Sequence, residues 1–393
     1  MKKNVGIIIS IVISLIISLG TSFAFQSIDI QNDLMTPSLN EGKKWRIGYC
    51  ESEPYVNFAG TLYGIIIGLE DLGWIEGVKD IPYESGQSNS LVMWKWLSSQ
   101  DLSPYIEFVD DGYYSLGLSE DGTDQQINNR LKTRNDIDLM IVMGTNAGKA
   151  IADGEHSVPT MVFSSSNAVK SGIIKSENDS GKNHLWAHMD TERYIRQIKV
   201  FHDIFDFKKL GMVYEDSLAG RTFAAVDDVQ EIASEKDFEV ISYFVDEPKS
   251  QEDLEDYYGK VIDANKKLSS KVDSVYFTAA AFREVEKVPQ LLEPFYDNNI
   301  PVFSQSGSIE VENGALVSLY RSDYNGIGIF GATNISKVLN GTLPRELPQI
   351  YGDTPNIVIN MEVADMIEYK VPFEILLSAD KIFNSIGVNN LEE

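Results

Sequence analysis

The sequence predicts an α/β fold built from two units, each a mainly parallel sheet flanked by helices. Three observations carry this expectation. From Trp45 onward, short apolar runs alternate with longer amphipathic segments. The apolar runs are continuous rather than alternating, as in parallel strands covered on both faces. The alternation also lapses once, over residues 171–190, and then restarts, so the chain holds two α/β units of similar size.

In the first unit, residues 45–51 (WRIGYCE) read as a strand. Residues 60–74 read as a helix closing at Gly73. A strand over 105–111 and a helix over 124–134 follow, then a strand over 138–144. A helix over 146–154 and a strand over 159–165 complete the unit. Residues 171–190 look like the connection. The second unit opens with a helix over 191–205 and a strand over 209–216. A helix over 220–237 and a strand over 239–245 come next. The alternation continues through 254–268, 273–279, 284–299 and 300–307.

The chain has 393 residues, 43% of them hydrophobic, enough for about two packed domains. It carries 33 basic and 59 acidic residues, a formal net charge of −26. Such a surface repels nucleic acid and anionic membranes, so both are excluded as partners. Residues 1–24 have the layout of a secretory signal peptide. Lys2 and Lys3 precede an apolar run from Val5 to Leu19, and small residues end at Ala24. The run is shorter than a spanning helix needs, so cleavage is expected, with no stable membrane insertion afterwards. The one cysteine, Cys50, rules out an internal disulfide framework and lies too far along to bear a lipid as the first mature residue. Residues 25–44 read as an extended polar arm.

One stretch, DLMIVMGTNAGKAI (138–151), runs a strand through a glycine turn into a helix. It is not a nucleotide loop. Three residues, not four, separate Gly144 from Gly148, and Lys149 is followed by Ala150 rather than Ser or Thr. What remains is a helix start suited to an anion, including a carboxylate, with Thr145 and Asn146 able to act as caps or as ligand contacts.

Ligands of open α/β sheets sit beyond the carboxyl ends of strands. In the first unit this selects Glu51 and Tyr55, Thr145 and Asn146, and the hydroxyl run Ser164, Ser165 and Ser166. In the second unit it selects Tyr214, Glu215 and Ser217, then Thr278, then Gln305 and Ser306. Arg221, just inside the following helix, is placed to grip a carboxylate with both guanidinium nitrogens, or to pair with Asp216 or Glu215. Tyr55 and Tyr214 offer rings for a planar ligand or for core packing. Trp94 and Trp96 are two apart, so a helix buries at most one of them. His184 and His188 lack both a helix and a third ligand, and no metal site or cofactor is expected. No nucleophile, base or carboxylate pair stands out.

Several segments together resemble the substrate-binding proteins of ABC transporters, of the kind that includes tryptophan- and tyrosine-type binders. They are GIIIGLEDLGWIEG near residue 64, DLMIVMG to SGII over 138–174, GALVSLY to RELP over 314–348, and NIVINMEVADMIEYKVPFEILLSADKIF over 356–383. The likeness spans most of residues 45–385. It implies a two-lobe type I periplasmic-binding-protein fold, hinged by several crossings and without catalysis. Lobe 1 is then expected over 45–167 and 318–345, and lobe 2 over 168–317 and 346–393. The resemblance further implies an exported, periplasmic protein, monomeric, that holds a small polar or zwitterionic ligand between its lobes. An amino acid or an aromatic compound fits that description. The expected partner is an ABC permease. A ligand-sensing component of a membrane receptor or kinase is the alternative, and an exported α/β enzyme a third. This chain departs from the family pattern at YEDSLAGR (214–221), where Tyr214 is kept and its neighbours change. It also departs at Asn146, where proline is common, and over 79–104, which is longer than usual.

Overall fold

The structure is a computed structural model that describes residues 34–117, 122–248, 250–278, 285–320, 324–352 and 356–387. The leader expected over 1–24 lies outside the described residues.

The first sheet is all parallel, in the order β2-β1-β3-β4-β5. Its strands are β1 (Trp45–Glu51), β2 (Ile106–Ser115), β3 (Leu139–Met143), β4 (Thr160–Phe163) and β5 (Leu185–Ala187). The continuous apolar strands serve two cores. Ile141, Met143 and Phe163 face one cluster, while Met140, Val142 and Val162 face the other. Around the sheet lie α1 (Val56–Asp71), α2 (Ser90–Ser99), α3 (Thr123–Thr133) and α4 (Thr145–Ala152). The α1 helix starts four residues earlier than its apolar pattern suggests, because the Tyr55 carbonyl accepts from Phe58 and Ala59 and starts the first turn.

The second sheet has the order β12-β11-β10-β9-β8-β6-β7. Its strands are β6 (Lys209–Glu215), β7 (Glu239–Val245), β8 (Ser274–Phe277), β9 (Val302–Ser304), β10 (Val317–Tyr320), β11 (Asn356–Asn360) and β12 (Ala379–Phe383). All neighbours are parallel except β10 and β11. Its helices include α5 (Arg193–Phe205), α6 (Leu218–Phe223), α7 (Val226–Lys236), α8 (Leu254–Ser269), α9 (Val288–Tyr296) and α10 (Ser308–Glu312). One helix was expected over 220–237. There are two, because Ala225 adopts a left-handed conformation (φ 52°) and breaks the run.

The expected lobe boundary at 167/168 is corrected by the first sheet. Thr160 pairs with Leu185 and Val162 with Ala187, so the segment through residue 187 belongs to lobe 1. The connection is correspondingly short and ends at α5. The chain leaves lobe 2 after β10 and contributes α11 (Asn325–Leu339) to lobe 1, then returns to β11. α11 packs on α1 almost backbone to backbone. A Cβ on Gly328 would sit 2.2 Å from the Gly64 carbonyl oxygen, so both positions need glycine. The last helices are α12 (Met361–Met366) and α13 (Phe373–Ser378).

The long segment over 79–104 is part of the core. Trp94 is fully buried and donates from Nε1 to the Val109 carbonyl (2.9 Å), while Trp96 is half-buried. The arm before β1 is clasped to α11. Asn340 Nδ2 donates to the carbonyls of Leu34 and Thr36, and Ser336 Oγ to that of Met35, all at 3.0 Å. Cys50 is buried, and burial pushes its thiol pKa up.

Candidate ligand-binding cleft

The carboxyl ends of the strands in both sheets face one cleft that encloses about 250 Å³. It is lined from lobe 1 by the turns after β1, β3 and β4. Lobe 2 supplies the ends of β6 and β9 and the start of α7, and the crossing segment supplies His188–Thr191 and α5.

The lobe 1 face is built by one tight turn. Gly144 has φ 89°, and a Cβ there would lie 2.5 Å from the Phe58 ring and from Ser52 Oγ. The α4 helix is capped from β1, since Ser52 Oγ accepts from the Ala147 N–H (3.0 Å). Neither Thr145 nor Asn146 caps its own helix. Thr145 Oγ1 instead accepts from the Ser166 N–H (3.1 Å), joining the turns after β3 and β4. Asn146 is exposed at the rim. Ser164 has φ 54°, and its hydroxyl meets Thr61 Oγ1 at 3.1 Å. The Ser165 hydroxyl is buried in the cleft wall with no partner among the described residues. A buried hydroxyl left without a partner is unfavourable unless something else supplies one.

The lobe 2 face has a hydrogen-bonded floor. Tyr276 OH donates to Gln197 Oε1 (2.6 Å). Gln197 Nε2 donates to the Gln305 carbonyl (3.0 Å), and Gln305 Nε2 to that of Phe223 (2.7 Å). Beneath it, Ser304 Oγ donates to Glu310 and accepts from the N–H groups of Ser306 and Gly307. Glu310 is 3% exposed, and burial raises its carboxyl pKa to about 7 against the pull of Ser304 and Ser306. The half-buried Tyr55 of lobe 1 stands close to Ser306, Glu310 and Arg193, and its phenol pKa is raised by burial first and by Glu310 second.

Both arginines of the cleft come from α5, and Asp190 from the crossing just before it. Arg196 holds both oxygens of Asp190, at 2.7 and 2.9 Å, while its buried Nε has no partner among the described residues. One turn earlier, Arg193 lies with its guanidinium carbon 5.2 Å from the centre of the Tyr194 ring and faces the cleft without an ion pair among the described residues. Burial opposes its charge, but the surrounding tyrosines and Asp190 outweigh that and raise its pKa. A cation in such a wall is ready for a carboxylate.

Of the residues selected from strand ends, the cleft brings together Tyr55, Thr145, Asn146, Ser164, Ser165, Ser166, Glu215, Gln305 and Ser306. It does not include five others. Glu51 points back into lobe 1, where it accepts from Tyr49 (2.8 Å) and Tyr113 (2.5 Å) and burial raises its pKa. The Tyr214 ring packs against Phe244 at 5.1 Å and lies under Arg221, which is exposed on the outer side of α6. Ser217 caps α6 through the Gly220 N–H (2.9 Å). Thr278 donates to the Val213 carbonyl (2.7 Å). Glu215 reaches the cleft but is buried and accepts from Tyr257 OH (2.7 Å).

Sequence reasoning missed Asp190, Arg193, Arg196, Gln197 and Asp228. The available signal was MDTERYIRQ (189–197), where two arginines three apart open a helix straight after the connection. His184 packs edge-on to His156 at 5.0 Å, and no group of three metal-ligating side chains occurs among the described residues.

Comparison with known proteins agrees with this architecture. A curated tyrosine-binding protein of Clostridioides difficile is 23% identical over 248 residues, covering 62% of this chain and 66% of that protein's own length. A Streptococcus pneumonia ABC domain solved in complex with L-Trp superposes with a TM-score of 0.62 at 16% identity, covering 86% of this chain and all of that one. The ligand-free, open structure of a Clostridium difficile substrate-binding protein gives 0.56 at 18% identity, over 87% of this chain and all of the other. These likenesses show a shared two-lobe fold. Residues 112–383 match the family described as "ABC transporter substrate binding protein". That is more than half of the sequence, and with two parallel-rich lobes closing on one polar cleft, it places the chain in the ABC transporter substrate-binding protein family.

Proposed function

We propose that this protein captures a small zwitterionic solute, an amino acid with a flat apolar side chain, and presents it to an ABC permease. The observation that carries the reading is Arg193, a cation facing an interlobe cleft with no carboxylate partner of its own among the described residues. A ligand carboxylate supplies that partner, with the Ser165 hydroxyl and Arg196 Nε–H as neighbouring donors. Tyr55, Phe58, Tyr194, Phe223 and Tyr324 line the same space and suit a planar side chain. The names of the tyrosine-binding relative and of the L-Trp complex support the same ligand class.

Both lobes touch such a ligand only when they are close together, so binding favours the closed form that a permease recognises. The role asks for no bond making, and the protein acts as a carrier rather than a catalyst. Export by the leader over 1–24, a periplasmic location and action as a monomer complete the proposal.

The test is native mass spectrometry of the purified protein followed by release and identification of what it carries. Calorimetry with L-tyrosine, L-tryptophan and the other amino acids comes next. A stoichiometric amino acid lost in Arg193→Gln supports the reading. If no amino acid is carried and none binds or raises the melting temperature, the reading fails.

A further inference from the structure

One ion pair bridges the two lobes at the edge of the cleft. Lys170 lies in the turn after β4, which Asn167 Oδ1 fixes by accepting from the N–H groups of Val169 (3.1 Å) and Lys170 (2.9 Å). Because β5 follows in the first sheet, this turn belongs to lobe 1. Asp227 and Asp228 open α7 of lobe 2. Lys170 Nζ lies 3.3 Å from Asp227 Oδ2 and 3.4 Å from Asp228 Oδ1.

The two carboxylates differ. The Asp227 side chain is 70% exposed and points outward, whereas that of Asp228 is 19% exposed and lines the cleft. Burial pushes the Asp228 carboxyl above the usual range, and Lys170 works against that push. A carboxylate held this way needs a cation beside it. Asp190, also in the cleft, is satisfied by two bonds from Arg196. The partner of Asp228 is instead a single long lysine from the opposite lobe, at a distance typical of a weak contact.

Asp228 and Arg193 both line the cleft. Burial raises the Tyr276 hydroxyl pKa most and Tyr194 next, and after these Arg193 lowers it and Asp228 raises it, so both charges reach the same phenol. The cleft thus holds opposite charges, which a carboxylate and an ammonium on one small molecule would bridge.

We propose that Asp228 is the ammonium-accepting group of the cleft and that Lys170 is a built-in competitor for it. The inference rests on the amino-acid reading above. A ligand with an ammonium group takes over Asp228, and Lys170 turns to Asp227 or to water. A ligand without one leaves Asp228 with Lys170. Lys170 therefore sets how strongly the cleft prefers amino acids over their deaminated analogues.

The experiment is calorimetric titration with L-tyrosine and L-tryptophan, paired with 3-(4-hydroxyphenyl)propionate and indole-3-propionate. The proteins are wild type, Lys170→Met, Asp228→Asn and, as an exposed control, Asp227→Asn. Melting curves check that Lys170→Met, which takes the cation from Asp228, and Asp228→Asn both remain folded. Lys170→Met tightens the amino acid about 3-fold or more and does not tighten the analogue. Asp228→Asn weakens the amino acid at least about 10-fold and leaves the analogue within about 3-fold. Asp227→Asn changes neither beyond about 2-fold. If both cleft variants shift amino acid and analogue by the same factor, the pair governs lobe closure alone and cation recognition is overturned. If wild type binds the analogues but not the amino acids, Asp228 is no ammonium subsite. If wild type binds neither class, the amino-acid reading itself falls and takes this one with it.

Discussion

The two faces of the cleft are made of different chemistry. Lobe 1 offers mostly neutral groups, the hydroxyls of Ser52, Thr145, Ser164, Ser165 and Ser166 and the amides of Asn146 and Asn167, with Glu53 as its one charged residue among the described lining. The crossing and lobe 2 offer charge: Asp190, Arg193, Arg196, Glu215 and Asp228. A neutral, hydrogen-bonded wall orients a ligand without demanding a counter-charge. A charged wall selects which ligands enter at all, because an unmatched buried charge is expensive. One lobe supplies fit, and the other supplies selection.

The contrast can be broken most directly at Arg193. Arg193→Gln is expected to weaken the ligand about 100-fold, roughly 3 kcal/mol, while the melting temperature of the unliganded protein holds, since this arginine makes no ion pair among the described residues. Calorimetry beside a melting curve separates the two effects, and retention of full affinity would move selection elsewhere.

Glu310 sharpens the comparison through pH. Its folded pKa is raised to about 7 from 4.5, so the folded state holds a proton that the unfolded chain releases. Stability from this group is fully present below about pH 4.5 and is lost as pH rises through about 7. Over that window wild type loses up to roughly 3 kcal/mol relative to Glu310→Gln, read from urea midpoints at several pH values. Parallel curves for the two proteins would remove Glu310 as the cause.

On the neutral face, Thr145→Val deletes the acceptor for the Ser166 N–H and loosens the turn that carries the serines. A 5- to 10-fold loss of affinity, about 1 kcal/mol, is expected by the same titration. An effect as large as that of Arg193→Gln would mean that the neutral wall also selects. The smallest effect is expected at Arg221, which lies on the outer side of Tyr214. Arg221→Ala should change affinity by less than about 2-fold, and a larger change would place its side chain in the cleft.

The same contrast explains what was legible beforehand. β1, β3, β4 and β7 were readable because each is a continuous apolar run, and such runs have few other uses in a parallel sheet. The lobe 1 face was readable too, since a strand, a glycine and a helix start point their turn at the sheet's carboxyl edge. The charged face was not. Its arginines lie on the first turn of α5, and whether they reach the cleft depends on where the connection ends. That in turn depends on β5, a three-residue strand too short to leave a pattern. Tyr214, Ser217, Arg221 and Thr278 lie at strand ends or just beyond them as expected, but core packing, a helix cap, the outer surface and a backbone carbonyl occupy their side chains instead.

The crossings themselves behave as a mechanical part. Met189 N–H donates to the Gln349 carbonyl (2.8 Å) and Tyr351 N–H to that of Met189 (2.9 Å), and Trp186 Nε1 reaches the Pro348 carbonyl (2.8 Å). Two of the three connections are thus laced into one ribbon, with the ring of Phe330 stacked 4.9 Å from Tyr351 beside it. A laced ribbon flexes easily across its width but resists stretching and sliding. Such a ribbon favours opening and closing about its own line, and whatever a ligand contributes is channelled into that motion.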